Sequence, residues 1–362
     1  MKKKNACLFM FVFYVFLLNA QNGMNFRILD VKNGITDNYI QDILRDDYGF
    51  VWFATTNGLN RYDGYHFKQY NTAQRGSYYN NIESLAEDAG GTMWVKAPLH
   101  QFYYDVEHDC LRKNIEYRLN KLGIRDNTNQ IIVDEDRNLW CLSSKKLYYY
   151  NFRIKKLSIL LLGKGYILSD VACRHGKGFV LFSNGKLGKI DIRRQRISIC
   201  AQTTLHTGFH PRLYMDQSMN VWLYVTHGSQ IECYSSRQQK WIKFPHQNEN
   251  AKNMNNITSV TDDGKGNVWI GTDDNGIFVY NFSSGTSYHI YKETNDVYSL
   301  PSNHVTCFFK DKSNIMWVGS SKKGVAYTFL NKMMFRNSSF PHKQDVSCIN
   351  EDKNGHIWFG FD

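Results

Sequence analysis

The residues best placed for chemistry are seven carboxylates, each six positions ahead of a tryptophan. They are Asp46 before Trp52, Asp88 before Trp94, Asp134 before Trp140, Asp216 before Trp222, Asp263 before Trp269, Asp311 before Trp317 and Asp352 before Trp358. Carboxylates do acid–base work when two of them flank one bond, as in glycoside hydrolysis. Recurrence argues against that use here. A residue present in every unit serves the unit, so the Asp is read as a turn residue and the Trp as packing between sheets. No G-x-S-x-G, P-loop, G-x-G-x-x-G or C-x-x-C occurs, so no catalytic set, cofactor or metal site is expected.

The unit is legible in its first copy. Tyr39 to Leu44 reads as a strand, Asp46 to Gly49 as a tight turn and Phe50 to Ala54 as a second strand. Thr55 to Gly58 turns again, Leu59 to Asp63 is a third strand and His66 to Tyr70 a fourth. Asp accepts hydrogen bonds from turn amides, and Gly tolerates the positive φ of such a hairpin. Four short antiparallel strands in a repeat of about 44 residues describe one propeller blade.

Six more copies of the signature follow, with one gap of double length between Trp140 and Trp222. A degenerate blade fills that gap: Gly176 to Phe182 as second strand, Ser183-Asn184-Gly185 as turn, Lys186 to Ile190 as third strand. The fold class is therefore all-β: a seven-bladed β-propeller of four-stranded antiparallel blades, plus the start of a second propeller. The expected division is 1–20 signal peptide, 25–332 propeller and 333–362 first strands of a truncated second propeller. An open ring would leave two bare sheet edges. Phe26 to Leu29 has the alternation of a strand and is expected to pair into blade seven and close the ring. Met333 to Asn337 is expected as the matching strand leading into the next propeller.

Composition agrees with an exported β protein. Of 362 residues, 15% are aromatic and only five are Pro, which favours pleated, half-buried surfaces. Lys2-Lys3-Lys4, the apolar run Ala6 to Leu18 and Ala20 read as a secretory signal and predict a periplasmic location. The net charge is +11, and without the three leader lysines 41 basic side chains still face 33 acidic ones. A basic exported protein suits uronic or sulfated sugars or a phospholipid surface. The basic residues look scattered, in pairs such as Lys145-Lys146, Arg193-Arg194 and Lys322-Lys323, so solubility alone would explain them. No basic stripe suggests nucleic acid. The seven cysteines after the leader have irregular spacing and do not form a disulfide framework; Cys141, Cys307 and Cys348 read as small buried strand residues.

Several stretches together resemble the periplasmic sensor region of Bacteroidetes hybrid two-component system proteins, the two-component regulator propeller. They are Asn33-Gly34-Ile35, Ile40-Gln41-Asp42-Ile43, Gly49-Phe50-Val51-Trp52, Asn57 to Gly64, Ser299 to Asn303 and Ile315 to Ser320. The resemblance implies two seven-bladed propellers, a small β-sandwich, a membrane helix, a kinase, a receiver and a DNA-binding domain. It also implies sensing of glycan fragments in the periplasm. This chain ends two strands into the eighth repeat, so it is expected to bind a ligand without kinase activity. Its membrane link would run through regions absent from this chain.

Function is then expected in the loops from second to third strands and from fourth strands to the next blade, which share one face. Tyr39, Tyr79, Lys96, His100, Arg212, His227, Asp274 and Lys322 lie there. Aromatic faces stack on sugar rings, and Arg or Lys pairs with carboxylate or sulfate. Arg212, His227 and Lys96 are the candidates for an anionic oligosaccharide. Two other classes stay open: an exported carbohydrate-active enzyme, lyase or hydrolase, and a protein-interaction or homodimerisation propeller without a small ligand.

Overall fold

Each blade is organised by its Asp-bearing turn. In a computed structural model describing residues 24–70, 80–205, 211–242, 254–331, 346–352 and 357–361, Asp46 Oδ1 accepts from Phe50 N–H (2.9 Å). Its Oδ2 accepts from the Trp52 indole Nε1–H (2.7 Å). One carboxylate thus fixes the turn and aims the buried indole. The same bond joins Asp88 to Trp94, Asp134 to Trp140, Asp216 to Trp222 and Asp311 to Trp317. Blade six differs. Asp263 Oδ2 takes the Asn267 amide (2.6 Å), and the buried Trp269 Nε1 has no partner. The turn glycines Gly49, Gly91 and Gly266 have positive φ, and Arg137, Met219 and Asn314 at the same place keep it. The turn geometry therefore survives the loss of Gly, at a cost of about 1–2 kcal/mol per residue.

Among the described residues there are seven four-stranded antiparallel sheets. Blade one runs Ile40–Arg45, Val51–Thr55, Gly58–Tyr62 and Phe67–Tyr70. Blade two runs Ser84–Glu87, Met93–Lys96, Gln101–Asp105 and Cys110–Arg112, and blade three Gln130–Val133, Leu139–Leu142, Lys146–Asn151 and Lys156–Leu161. The degenerate repeat is a full blade four: Leu168–Arg174, Lys177–Phe182, Lys186–Asp191 and Arg196–Gln202. Blade five comprises Pro211–Met215, Asn220–Val225, Ile231–Ser235 and Lys240–Ile242. Blade six comprises Ile257–Asp262, Asn267–Thr272, Ile277–Asn281 and Ser287–Ile290. Blade seven takes Val305–Lys310, Ile315–Ser320 and Val325–Phe329 from its own repeat.

Its fourth strand is Arg27–Leu29, paired antiparallel with Val325–Phe329 in the register Arg27 to Tyr327, Ile28 to Ala326 and Leu29 to Val325. The expected closure is thus present. The first strands of blades seven and one also touch, so the ring has no gap there. The core divides in the same way, with one apolar cluster in each space between neighbouring blades. Phe26 and Leu29 join the clusters on the two sides of blade seven.

Residues 331–362 form a separate compact unit. It contains one hairpin, Val346–Glu351 with Ile357–Phe361. Trp358 Nε1 again donates to Asp352 (3.3 Å), yet Trp358 is 65% exposed. Cys348 is exposed as well, contrary to its reading as a buried residue, because a two-stranded hairpin lacks the packed sheets that bury its counterpart Cys307. The leader 1–20, Tyr79 and Met333 to Asn337 lie outside the described residues.

Candidate functional site

Alternating strand direction puts the second-to-third loops and the fourth-to-first connections on one face of the ring. The connection from blade two to blade three, residues 113–129, carries the helix α1 (Ile115–Lys121). Asn114 caps it by accepting from Tyr117 N–H (3.2 Å). Ile115 and Leu119, one turn apart, sink with Ile124 into the gap between the two blades. The apolar side anchors the segment, and its polar side forms one wall of a cleft of about 500 Å³. The other wall is the blade-two loop 96–101.

The cleft contains two of the expected residues, Lys96 and His100, with Lys113, Glu116, Asn120, Arg125, Asn127 and Thr128. Lys96 is held by Glu83 (2.8 Å), and Asp126 by Lys146 (3.0 Å). Gln101 Nε2 bridges the walls by donating to Thr128 O (2.8 Å). His100 packs edge-on against Phe102. Thr128 Oγ1 is buried without a partner. Among the described residues, no hydrogen bond or ion pair engages the side chains of Lys113, Glu116, Asn120, Arg125 or Asn127. The cleft therefore offers both signs of charge and several amides in a concave surface, the chemistry that hydroxyl-rich ligands need. Lys113, Asn120, Arg125 and Asn127 were not singled out from the sequence. Their signal was the capped Ile115/Leu119 spacing in an otherwise all-β chain.

Arg212 does not line that cleft. It stands on the first strand of blade five, and its Nε lies 3.2 Å from Asp170 of blade four. Asp170 raises the pKa of the guanidinium. More than half of the Arg212 side chain (55%) remains accessible. Asp42 of blade one, on the other side of the ring, still feels its charge. Burial nevertheless pushes the Asp42 carboxyl up to about 6, and burial also raises Asp170. Both acids cap a neighbouring inner strand: Leu85 N–H donates to Asp42 (2.8 Å) and Leu213 N–H to Asp170 (2.8 Å). Arg212 is thus an inner-wall residue.

A third group joins blades six, seven and one. His304 Nδ1 lies 3.5 Å from Asp273, and Lys322 Nζ donates to His304 Nε2 (3.0 Å). Asn256 donates to Asp274 (3.2 Å). Burial, then the Asp273 charge, raises the Tyr39 pKa. His227, with φ of 59°, has its backbone tied to Ile257 O (2.8 Å). The structure therefore brings Lys96 to His100, and Tyr39 and Lys322 to Asp273 and His304. It does not bring Lys96 to Arg212.

The opposite face holds a cavity of about 710 Å³ among the Asp-bearing turns of blades one, three and seven. Several of its charges are mutually engaged. Arg137 pairs with Asp47 and with Glu87 (3.1 Å), and Arg45 with Asp311 (3.0 Å). Burial pushes Glu87 up to about 7. Beside it Arg174 reaches from blade four to Asp262 of blade six (2.9 Å), where Tyr214 also donates (2.6 Å). Asp105, Glu107 and His108 lie within reach of one another but are on an open turn, with Asp105 already bound by Arg112 (3.1 Å).

Two-component regulator propeller repeats match residues 34–57, 252–274, 299–322 and 339–362. A search among curated proteins gives no match. The extracellular domain of one hybrid two component system from B. thetaiotaomicron superposes with a TM-score of 0.62 at 20% identity, over 93% of this chain and 47% of that one. A second from the same organism gives 0.62 at 19%, over 93% and 44%. Virginiamycin B lyase from Staphylococcus aureus gives 0.59 at 13%, over 85% and 100%. The chain spans less than half the length of the two extracellular domains. At these identities the likeness is one of fold, and it includes both extracellular domains of two-component systems and a lyase. The repeat matches fall on blades one, six and seven and on the C-terminal hairpin, so this chain is a seven-bladed propeller with four segments similar to the two-component regulator propeller.

Proposed function

We propose that this propeller is the periplasmic ligand-sensing part of a hybrid two-component regulator, exported by its N-terminal signal, and that it binds an oligosaccharide in the cleft between loop 96–101 and residues 113–129. The observation that carries the reading is the cleft itself. It is concave, its base is anchored in the core through Ile115 and Leu119, and among the described residues no hydrogen bond or ion pair engages the side chains of its Lys113, Arg125, Glu116, Asn120 and Asn127. Its two cations suit a uronate or sulfate on the sugar. The regulator repeats and the extracellular relatives support sensing over catalysis. Binding here would leave the sugar intact.

Calorimetric titration of the protein with a panel of acidic and neutral oligosaccharides tests this. Saturable binding is expected for an acidic member. Arg125→Ala should weaken it about 10-fold, the share of one charge-assisted hydrogen bond, while Arg212→Ala should leave it unchanged. Equal affinity in Arg125→Ala and wild type would remove the cleft. Loss only in Arg212→Ala would move the site to the inner wall. New reducing ends or unsaturated products would replace sensing by catalysis.

A further inference from the structure

The basic residues that look scattered along the chain are gathered by the fold. Turns from third to fourth strand lie on the face opposite the cleft, at the outer rim, one per blade. In blade three this turn carries Arg153 and Lys155, in blade four Arg193, Arg194 and Arg196 follow the same bend, and in blade five it carries Arg237. All six are exposed. Among the described residues only Arg194 has a carboxylate partner, Asp191 at 3.7 Å. These blades are consecutive, because they share the apolar clusters on both sides of blade four. The equivalent turns elsewhere are different: Asp63 and His66 in blade one, Glu107 and Asp109 in blade two, Ser283 and Ser284 in blade six. Among the described residues the rim therefore has one cationic arc.

We propose that this arc docks the propeller on an anionic phospholipid bilayer. The charges sit on convex turn tips. Three successive tips on one face of a ring can meet a plane together, whereas a flexible acidic chain gains most from a groove. Ile154 stands between Arg153 and Lys155 at a tip and is 64% exposed, which places an aliphatic side chain where it can enter the headgroup boundary. Each cation near an anionic leaflet contributes about 1 kcal/mol, falling off within a Debye length of roughly 8 Å at physiological salt. Docked in this way, the face with the oligosaccharide cleft points to solvent. The inference does not depend on what occupies that cleft.

The test is flotation of the full chain with vesicles of phosphatidylglycerol and phosphatidylcholine, compared with phosphatidylcholine alone. The apolar leader and its three lysines are common to every protein sample, so the difference between wild type and arc variant on the anionic vesicles reads the arc. Preferential binding to the anionic vesicles is expected, abolished at high salt. The triple variant R193E/R194E/R196E should lose at least about 100-fold of that binding, from three contributions of about 1 kcal/mol each. The control K292E/K323E, on the other face, should bind as wild type. Circular dichroism should give all three proteins the same melting temperature, since the changed residues are exposed. Equal binding to both vesicle types, or undiminished binding by the triple variant, would overturn the proposal. So would binding to a soluble polyuronate, lost in the triple variant, with no binding to vesicles.

Discussion

Leu29 lies opposite Val325 in an antiparallel ladder that joins the first described strand of the chain to the third strand of blade seven. The next residue back, Gly324, has φ of +71°, and a Cβ built on it would meet the Leu29 carbonyl oxygen. Gly324 is therefore required twice, by its backbone and by the closeness of the closing strand. Gly285 has a similar φ of +68° but open space around it.

The pair separates the two demands. Both Gly324→Ala and Gly285→Ala should cost about 1 kcal/mol for the left-handed backbone. Gly324→Ala should cost clearly more, because it also pushes on the strand that closes the ring. Urea unfolding of the two variants measures the difference. Equal midpoints would mean that closure adds little to stability.

The indole–carboxylate bond gives a second contrast. In blade five, Asp216→Asn places an amide N–H against the Trp222 Nε1–H or removes the acceptor it uses at 2.9 Å. The variant should lose about 1–3 kcal/mol, the cost of an unsatisfied buried donor. Asp263→Asn should lose less, because Trp269 Nε1 already has no partner. Thermal unfolding of both variants decides, and a larger loss for Asp263→Asn would contradict the reading.

Arg174 presents a buried charge pair. Its side chain and that of Asp262 are each 7% exposed. Arg174→Ala leaves Asp262 with Tyr214 as its remaining side-chain donor, and a loss of about 3–5 kcal/mol is expected for breaking such a pair. Arg174→Met with Asp262→Leu should recover little of it, because Leu also leaves the Tyr214 hydroxyl and the Gln217 and Gly264 N–H groups without their acceptor. A melting series of single and double variants checks both outcomes.

The pH dependence follows from Asp42. Its carboxyl is raised on folding from 3.8 to about 6 by burial. The native state thus holds this proton to higher pH than the unfolded chain does. Its contribution is intact below about pH 4, is lost as the pH rises to about 6, and is constant above. Asp42→Asn keeps an acceptor for Leu85 N–H and removes the charge. It should be more stable than wild type at pH 7, by at most about 2–3 kcal/mol, and should make the stability curve less steep between pH 4 and 6, where Glu87 still contributes. An unchanged slope in that window would exclude Asp42 as its source.

The ring was readable because its determinants are local and repeated. Asp46 to Trp52 recurs, the Ser183-Asn184-Gly185 turn marks blade four despite its missing Trp, and the alternation of Phe26 to Leu29 identified the closing strand. What Asp46 does for Trp52 was not readable, since a spacing of six says nothing about a second hydrogen bond. The site was only partly readable. Lys96 and His100 lie on a repeat loop, so their face was predictable. Lys113 and Arg125 belong to a helical insertion that follows no repeat. The cationic arc was hidden for another reason: Arg153, Arg193 and Arg237 are far apart in sequence, and only the ring makes them neighbours.

Hydrogen–deuterium exchange with a saturating acidic oligosaccharide tests the central claim most directly. Protection confined to residues 96–101 and 113–129 is the predicted result. Protection confined to the turns of the opposite face, or none at saturation, would contradict it.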